Sequence, residues 1–364
     1  MSRGRVLGRV KWTTVVPLAA LAVLVPTWGT KPGGAVLALV AVFLAVAVPA
    51  AVHHAEVIAH RVGEPLGALV LAVAVTVIEV ALIVTLMVSA DSDTSTLARD
   101  TVFAAVMLTC NAIVGMSLLT VTVRGDVATF SAEGTATALG TVLTLATLSL
   151  VVPTFTTSRP GPEFSSEQLA FAALASLVLY LVFVFVQTVQ HRDQFVEPTP
   201  VDDDHTHDHE PPSTRQTFAS LALLVVALVA VVGLAKVESP AIEDAVDAIG
   251  APQSAVGVVI AILVLLPESV AAVRNARRGR VQTSLNLAFG SAMASIGLTI
   301  PAIAVASIWL DGPLVLGLGA TQMVLLAVTA VVGALTVLPG RATLQEAAVH
   351  LVIAAAFVFL AINP

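Results

Sequence analysis

The chain of 364 residues has little charge: Asp, Glu, Lys and Arg together make up 11% of it. A soluble domain averages about 25%, and here the mean hydropathy is +0.96. Cysteine is nearly absent. Cys110 stands alone in an apolar run, so no internal disulfide can form and its default role is packing. The zinc-protease pattern H-E-x-x-H is missing, because Glu56 follows His54 by two residues and precedes His60 by four. No nucleophile–base pair or His/Cys metal set takes its place. The chain is therefore not expected to be an enzyme or to hold a resident cofactor. The net charge of −7 sits mostly in loops, and no nucleic-acid partner is expected.

What the chain has is length of apolar run. Eleven stretches approach the ~20 residues that span a bilayer. They are Trp12–Trp28, Gly34–Ile58, Leu66–Ala90, Thr101–Val123, Gly134–Val152, Gln168–Gln187, Phe218–Val237, Ala255–Val273, Ser284–Trp309, Leu314–Leu338 and Ala347–Ile362. Only helices or closed barrels satisfy every backbone group in lipid, and these runs are too long for barrel strands. The composition predicts an all-α polytopic membrane protein of about 11 helices whose first partner is the bilayer. The basic N-terminus (Arg3, Arg5, Arg9, Lys11) could open a signal peptide. A retained first helix is preferred, since no clean small-x-small cleavage site follows and more spans come directly after.

Lys and Arg set the orientation. With the N-terminus inside, 13 of the 17 fall on inner segments, including Arg274, Arg277, Arg278 and Arg280; Lys31, Arg99, Arg159 and Lys236 fall outside. The expected placement is the inner (plasma) membrane, N-terminus cytoplasmic, C-terminus outside. One polar segment, residues 191–215, breaks the pattern and contains Asp202–Glu210 (DDDHTHDHE) among prolines. It reads as a cytoplasmic linker, solvated or able to capture metal and sense pH. The implied plan is an extra helix (1–30), a five-helix repeat (31–190), the linker (191–215) and a second repeat (216–364).

Two acids interrupt the apolar runs. Glu79 is the only ionisable residue within Leu66–Ala90, and Glu268 lies within Ala255–Val273. A charge at membrane depth costs several kcal/mol, about 3 or more, and marks ion pathways and proton relays. Aligning the two acids brings Asn111-Ala-Ile-Val-Gly115 beside Met293-Ala-Ser-Ile-Gly297. On the orientation above, the two acid-bearing helices run in opposite directions, which is an inverted repeat; transporters place ion sites at such interfaces. Pro267 precedes Glu268 and frees the carbonyl of Leu263, so a helix break there is expected. Hard cations take oxygen ligands. Thr76, Asn111, Asn286, Ser291 and Ser295 are candidates beside Glu79 and Glu268, with ordinary interhelical hydrogen bonding as the alternative for each. His53, Glu56 and His60 share one helix face, followed by Glu64 one turn on. That face reads either as a proton relay, since His titrates near neutrality, or as an interfacial polar face.

GEPLGALVLAVAVTVIEVALIVTLM (63–87) and LLPESVAAV with NLAFGSAMASIGLTIPA resemble the ChaA-type calcium (sodium, potassium)/proton antiporters, in the cation/proton exchanger branch of the cation/calcium exchanger superfamily. The resemblance spans nearly the whole chain. It implies one extra helix plus two inverted five-helix repeats, with an essential glutamate in each repeat, matching Glu79 and Glu268. It also implies Gly-Asn four and three residues before each glutamate, where this chain has Val75-Thr76 and Val264-Leu265. With two amides missing, calcium coordination is expected to be poorer and Na+ or K+ more favoured. The expected activity is secondary antiport of Ca2+ and/or Na+, with K+ a further candidate, against H+. A cation channel through the same glutamates is the alternative within transport. Nothing in the sequence sets the oligomeric state.

Overall fold

The computed structural model describes residues 11–30, 32–63, 66–89, 95–198, 212–248, 250–309 and 312–364. Among them eleven helices follow in order: α1 (Trp12–Thr27), α2 (Gly34–Val62), α3 (Leu66–Ser89), α4 (Leu97–Thr122), α5 (Ala132–Phe155), α6 (Ser166–Gln190), α7 (Thr214–Ala248), α8 (Ser254–Arg277), α9 (Val281–Ala306), α10 (Ala320–Val337) and α11 (Leu344–Ile362). Ten are long and apolar enough to cross a bilayer. The exception, α1, has 16 residues, about 24 Å at 1.5 Å per residue.

Local signals start several of these helices. Ser165 and Gln168 form a capping box at α6, and Thr343 and Glu346 form one at α11, each satisfying N–H groups that the first turn leaves free. Pro49, Pro240, Pro267 and Pro301 lie inside helices. The expected break at Pro267 is absent. Helix α8 runs continuously through it, as membrane helices often do where neighbours cover the freed carbonyl. Helix α4 carries a π-helical turn at Leu108–Ile113.

The helices pack with a two-fold pattern. Helix α3 lies against α9, and α8 against α4; α6 lies against α9, and α11 against α4; α2 and α7 pair with each other. Helices α4 and α9 are the most buried of the spans. Gly115 on α4 sits so close to His350 and Leu351 of α11 that a Cβ would fall 2.9 Å from the Leu351 side chain. Gly297 on α9 sits as close to Tyr180 of α6, where a Cβ would fall 2.6 Å from it. The glycines matched in sequence thus make equivalent helix crossings, the close approach that small residues permit in membranes. The loops repeat the pattern. β1 (Ala128–Thr129), after α4, pairs antiparallel with β2 (Arg341–Ala342), before α11. Glu163, before α6, bridges to Val315, after α9. The fold is one extra helix plus two inverted five-helix sets.

Candidate cation site

Glu79 and Glu268 come from the middle turns of α3 and α8 and are 3% and 9% exposed. Both line one cavity of about 290 Å3 between α3, α6, α8 and α9. Thr76, Asn286, Ser291 and Ser295 line it too. Ser295 donates to Glu79 Oε1 at 2.6 Å. Glu268 Oε2 is buried with no hydrogen-bond partner among the described residues, an unsatisfied state that is costly for a carboxylate and that a cation or a proton would relieve. Among the described residues no three His, Cys, Asp or Glu side chains come together. The oxygens on offer are therefore two carboxylates and hydroxyls, a donor set suited to a hard cation in passage. The four residues at the expected Gly-Asn positions, Val75, Thr76, Val264 and Leu265, all line the cavity, and only Thr76 offers an oxygen.

For two candidates the structure shows the hydrogen bonding that stood as their alternative. Asn111 does not reach this cavity. Its Nδ2 donates to Met107 O at 3.1 Å and Thr329 Oγ1 at 3.0 Å. Its Oδ1 accepts from His350 Nδ1 at 3.2 Å, and His350 Nε2 meets Thr336 Oγ1 at 3.1 Å. Asn111 is thus consumed in a buried knot between α4, α10 and α11, which the apolar context of each residue alone did not reveal. Asn286 lines the cavity, but its amide is engaged: Nδ2 donates to Phe195 O at 2.6 Å, and Oδ1 accepts from Gln282 Nε2 at 2.8 Å.

His53 and Glu56 approach to 3.7 Å on the exposed side of α2, and Glu56 stands close enough to Glu268 for their charges to act on each other. His60 is exposed one turn further along. Glu64 and Asp202–Glu210 lie outside the described residues. Three polar residues were not singled out from the sequence. Thr299 is buried beside Glu79, and the four-residue spacing of Ser291, Ser295 and Thr299 on one helix face was the available signal. Gln187 lines the cavity. His54 is buried, with Nε2 donating to Thr13 O at 2.9 Å and Nδ1 meeting Ser220 Oγ at 3.3 Å, which ties α1, α2 and α7 together.

The sodium/calcium exchanger protein family matches residues 33–189 and 219–363, one segment on each side of the linker. The chain belongs to that family. This exchanger is a multi-pass membrane transporter and not an enzyme. It is 44% identical over 360 residues to the putative ionic transporter y4hA of Sinorhizobium fredii, covering 97% of this chain and 96% of that one. It is 33% identical over 308 residues to the sodium-potassium/proton antiporter ChaA of Escherichia coli, covering 84% and 83%. The solved structure of native YfkE matches it with a TM-score of 0.72 at 13% identity, covering 97% of this chain and all of that one; YfkE is described as a Ca2+/H+ antiporter. At that identity the likeness is one of fold.

Proposed function

We propose that the exchanger is a secondary antiporter that moves a cation against protons by alternating access, with Glu79 and Glu268 as the shared cation and proton site. The observation that carries this is the meeting of two buried carboxylates, one from each five-helix set, in one cavity. One Ca2+ on two carboxylates is neutral, and so are two protons. The empty site carries two negative charges, which are costly to enclose in a dry state. Only loaded forms then reorient, and exchange follows from electrostatics. A single Na+ or K+ leaves one charge over, so a proton on the second carboxylate completes the load. Thr76 and Ser295 supply hydroxyl oxygens to the same cavity, with Ser291 beside them.

The absence of amide side chains at positions 76 and 265 favours Na+ or K+ over Ca2+, in keeping with the sodium-potassium/proton antiporter among the relatives. Calcium stays within reach of two carboxylates. Glu56, with His53 and His60, relays protons toward Glu268 from the face to which α2 descends. That face is cytoplasmic if the arginine bias sets the orientation, with residues 31–190 and 216–364 as the two repeats in the inner membrane.

Everted vesicles or proteoliposomes with an imposed proton gradient test this. Addition of Na+, K+ or Ca2+ is expected to dissipate the gradient in a saturable way, with a proton demanded for every step of cation flux. Cation flux without proton counterflow would overturn the reading.

A further inference from the structure

The two inverted sets are not in the same state. Ungapped alignment of α4 with α9, in the register that pairs Gly115 with Gly297, also pairs Thr101 with Thr283. On one side of the membrane α8 packs onto the start of α4. A Cβ on Gly257 would lie 2.8 Å from Thr101 N, and Thr101, Ala104 and Ala105 are buried. On the other side, the corresponding space between α3 and α9 is the cavity itself, with Leu71 and Ala72 facing Thr283, Asn286 and Leu287 across it. There the position equivalent to Thr101 is covered by something else. Glu197, just past the end of α6, accepts from Thr283 N at 2.8 Å, Thr283 Oγ1 at 2.9 Å and Gln282 N at 3.1 Å. A carboxylate on a helix N-terminus is a favourable contact. The segment is anchored as well: Phe195 is buried edge-on against Phe183, a cavity-lining ring, at 5.7 Å, and its carbonyl takes the Asn286 bond at 2.6 Å.

We propose that Glu197 is a latch that holds the cavity mouth open by occupying the first turn of α9, where α3 must dock for the mouth to close. The inverted arrangement makes the sealed side a template for the closed form of the open side. In that template the α8 backbone at Gly257, not a carboxylate, packs against the corresponding turn. Closure therefore requires Glu197 to leave α9, and the segment that carries it leads directly into the linker. The inference deepens the alternating-access reading and rests on it.

The test is labelling of a single thiol. In a Cys110→Ala background, Val184→Cys sets a thiol on the cavity wall, and its reaction rate with a membrane-impermeant maleimide is followed in vesicles of both orientations. Labelling is expected from the face of the α6–α7 connection. Glu197→Ala is expected to slow it several-fold, with Glu197→Gln, which keeps one accepting oxygen, in between. Should Glu197→Ala fail to insert, Thr283→Val, which removes one of the three bonds, is expected to slow labelling in the same direction. Labelling that ignores these substitutions overturns the latch. The assay needs no transported ion, so absence of exchange in the parent would overturn the proposed function, while insensitivity to Glu197 would overturn the latch alone.

Discussion

Ser295 and Glu79 are separated by 216 residues and sit in opposite five-helix sets, yet the serine hydroxyl donates to the glutamate at 2.6 Å. This bond joins the repeats at the point where the proposed cation binds. It also orients one carboxylate, while Glu268 Oε2 has no partner among the described residues. The two acids are thus inequivalent: Glu79 accepts from Ser295, whereas one buried oxygen of Glu268 is left for a proton or an ion.

Glu79→Gln and Glu268→Gln are each expected to abolish exchange while leaving membrane insertion intact. Gln keeps the volume and loses the charge and the titratable proton. Glu79→Asp draws the oxygens back by about 1.5 Å, one C–C bond, a large shift against cation–oxygen distances of roughly 2.3–2.6 Å. A cation K0.5 raised about ten-fold or more, with residual flux, is the expected result in a vesicle assay. Normal exchange by both Gln variants would exclude the site.

Ser295→Ala removes the bond that orients Glu79 without removing charge. Apparent cation affinity is expected to fall by a few-fold, in line with the ~0.5–1.5 kcal/mol net worth of a hydrogen bond or somewhat more to a charged group, with the maximal rate less affected. Flux titrated against cation concentration separates the two parameters.

Asn111→Ala is expected to act on stability and not on ion choice. It removes the acceptor of His350 Nδ1 and the donor to Thr329 Oγ1, which keeps Met107 Sδ, at a cost of about 1–3 kcal/mol. A lowered melting temperature in detergent with an unchanged cation preference order is the expected pair of results. A changed preference would return Asn111 to the transport path.

Glu56→Gln is expected to change the pH profile of exchange more than the cation K0.5 measured at one pH. The basis is its contact with His53 and its proximity to Glu268. Identical pH profiles for the variant and the parent would leave the His53–Glu56–His60 face with an interfacial role only.

Deleting residues 199–211 removes the acid- and histidine-rich run but retains Glu197 and its bonds to α9. Insertion and exchange are expected to survive, because a polar linker buries no core. A shift in ion or pH dependence is compatible with that outcome, whereas complete loss of transport with normal insertion would argue for a structural role of the run.

The sequence by itself determined that the chain lies in a membrane, that its spans are helical, and that Glu79 and Glu268 are its costly residues. Hydrocarbon imposes those conclusions on any chain of this composition, whatever its neighbours. The matched pair Gly115 and Gly297 was legible too, because a helix crossing that close admits only a small residue. The tertiary structure alone decided which polar side chains face the glutamates. Asn111 and Ser295 read alike in the sequence, as polar residues on apolar helices, and the structure sends one to His350 and the other to Glu79. Nor could periodicity show that α8 continues through Pro267 or that Glu197 reaches α9. Helix direction and rotation depend on packing against distant neighbours, and a pattern of 3.6 residues per turn gives one helix's faces without saying which partner each face meets.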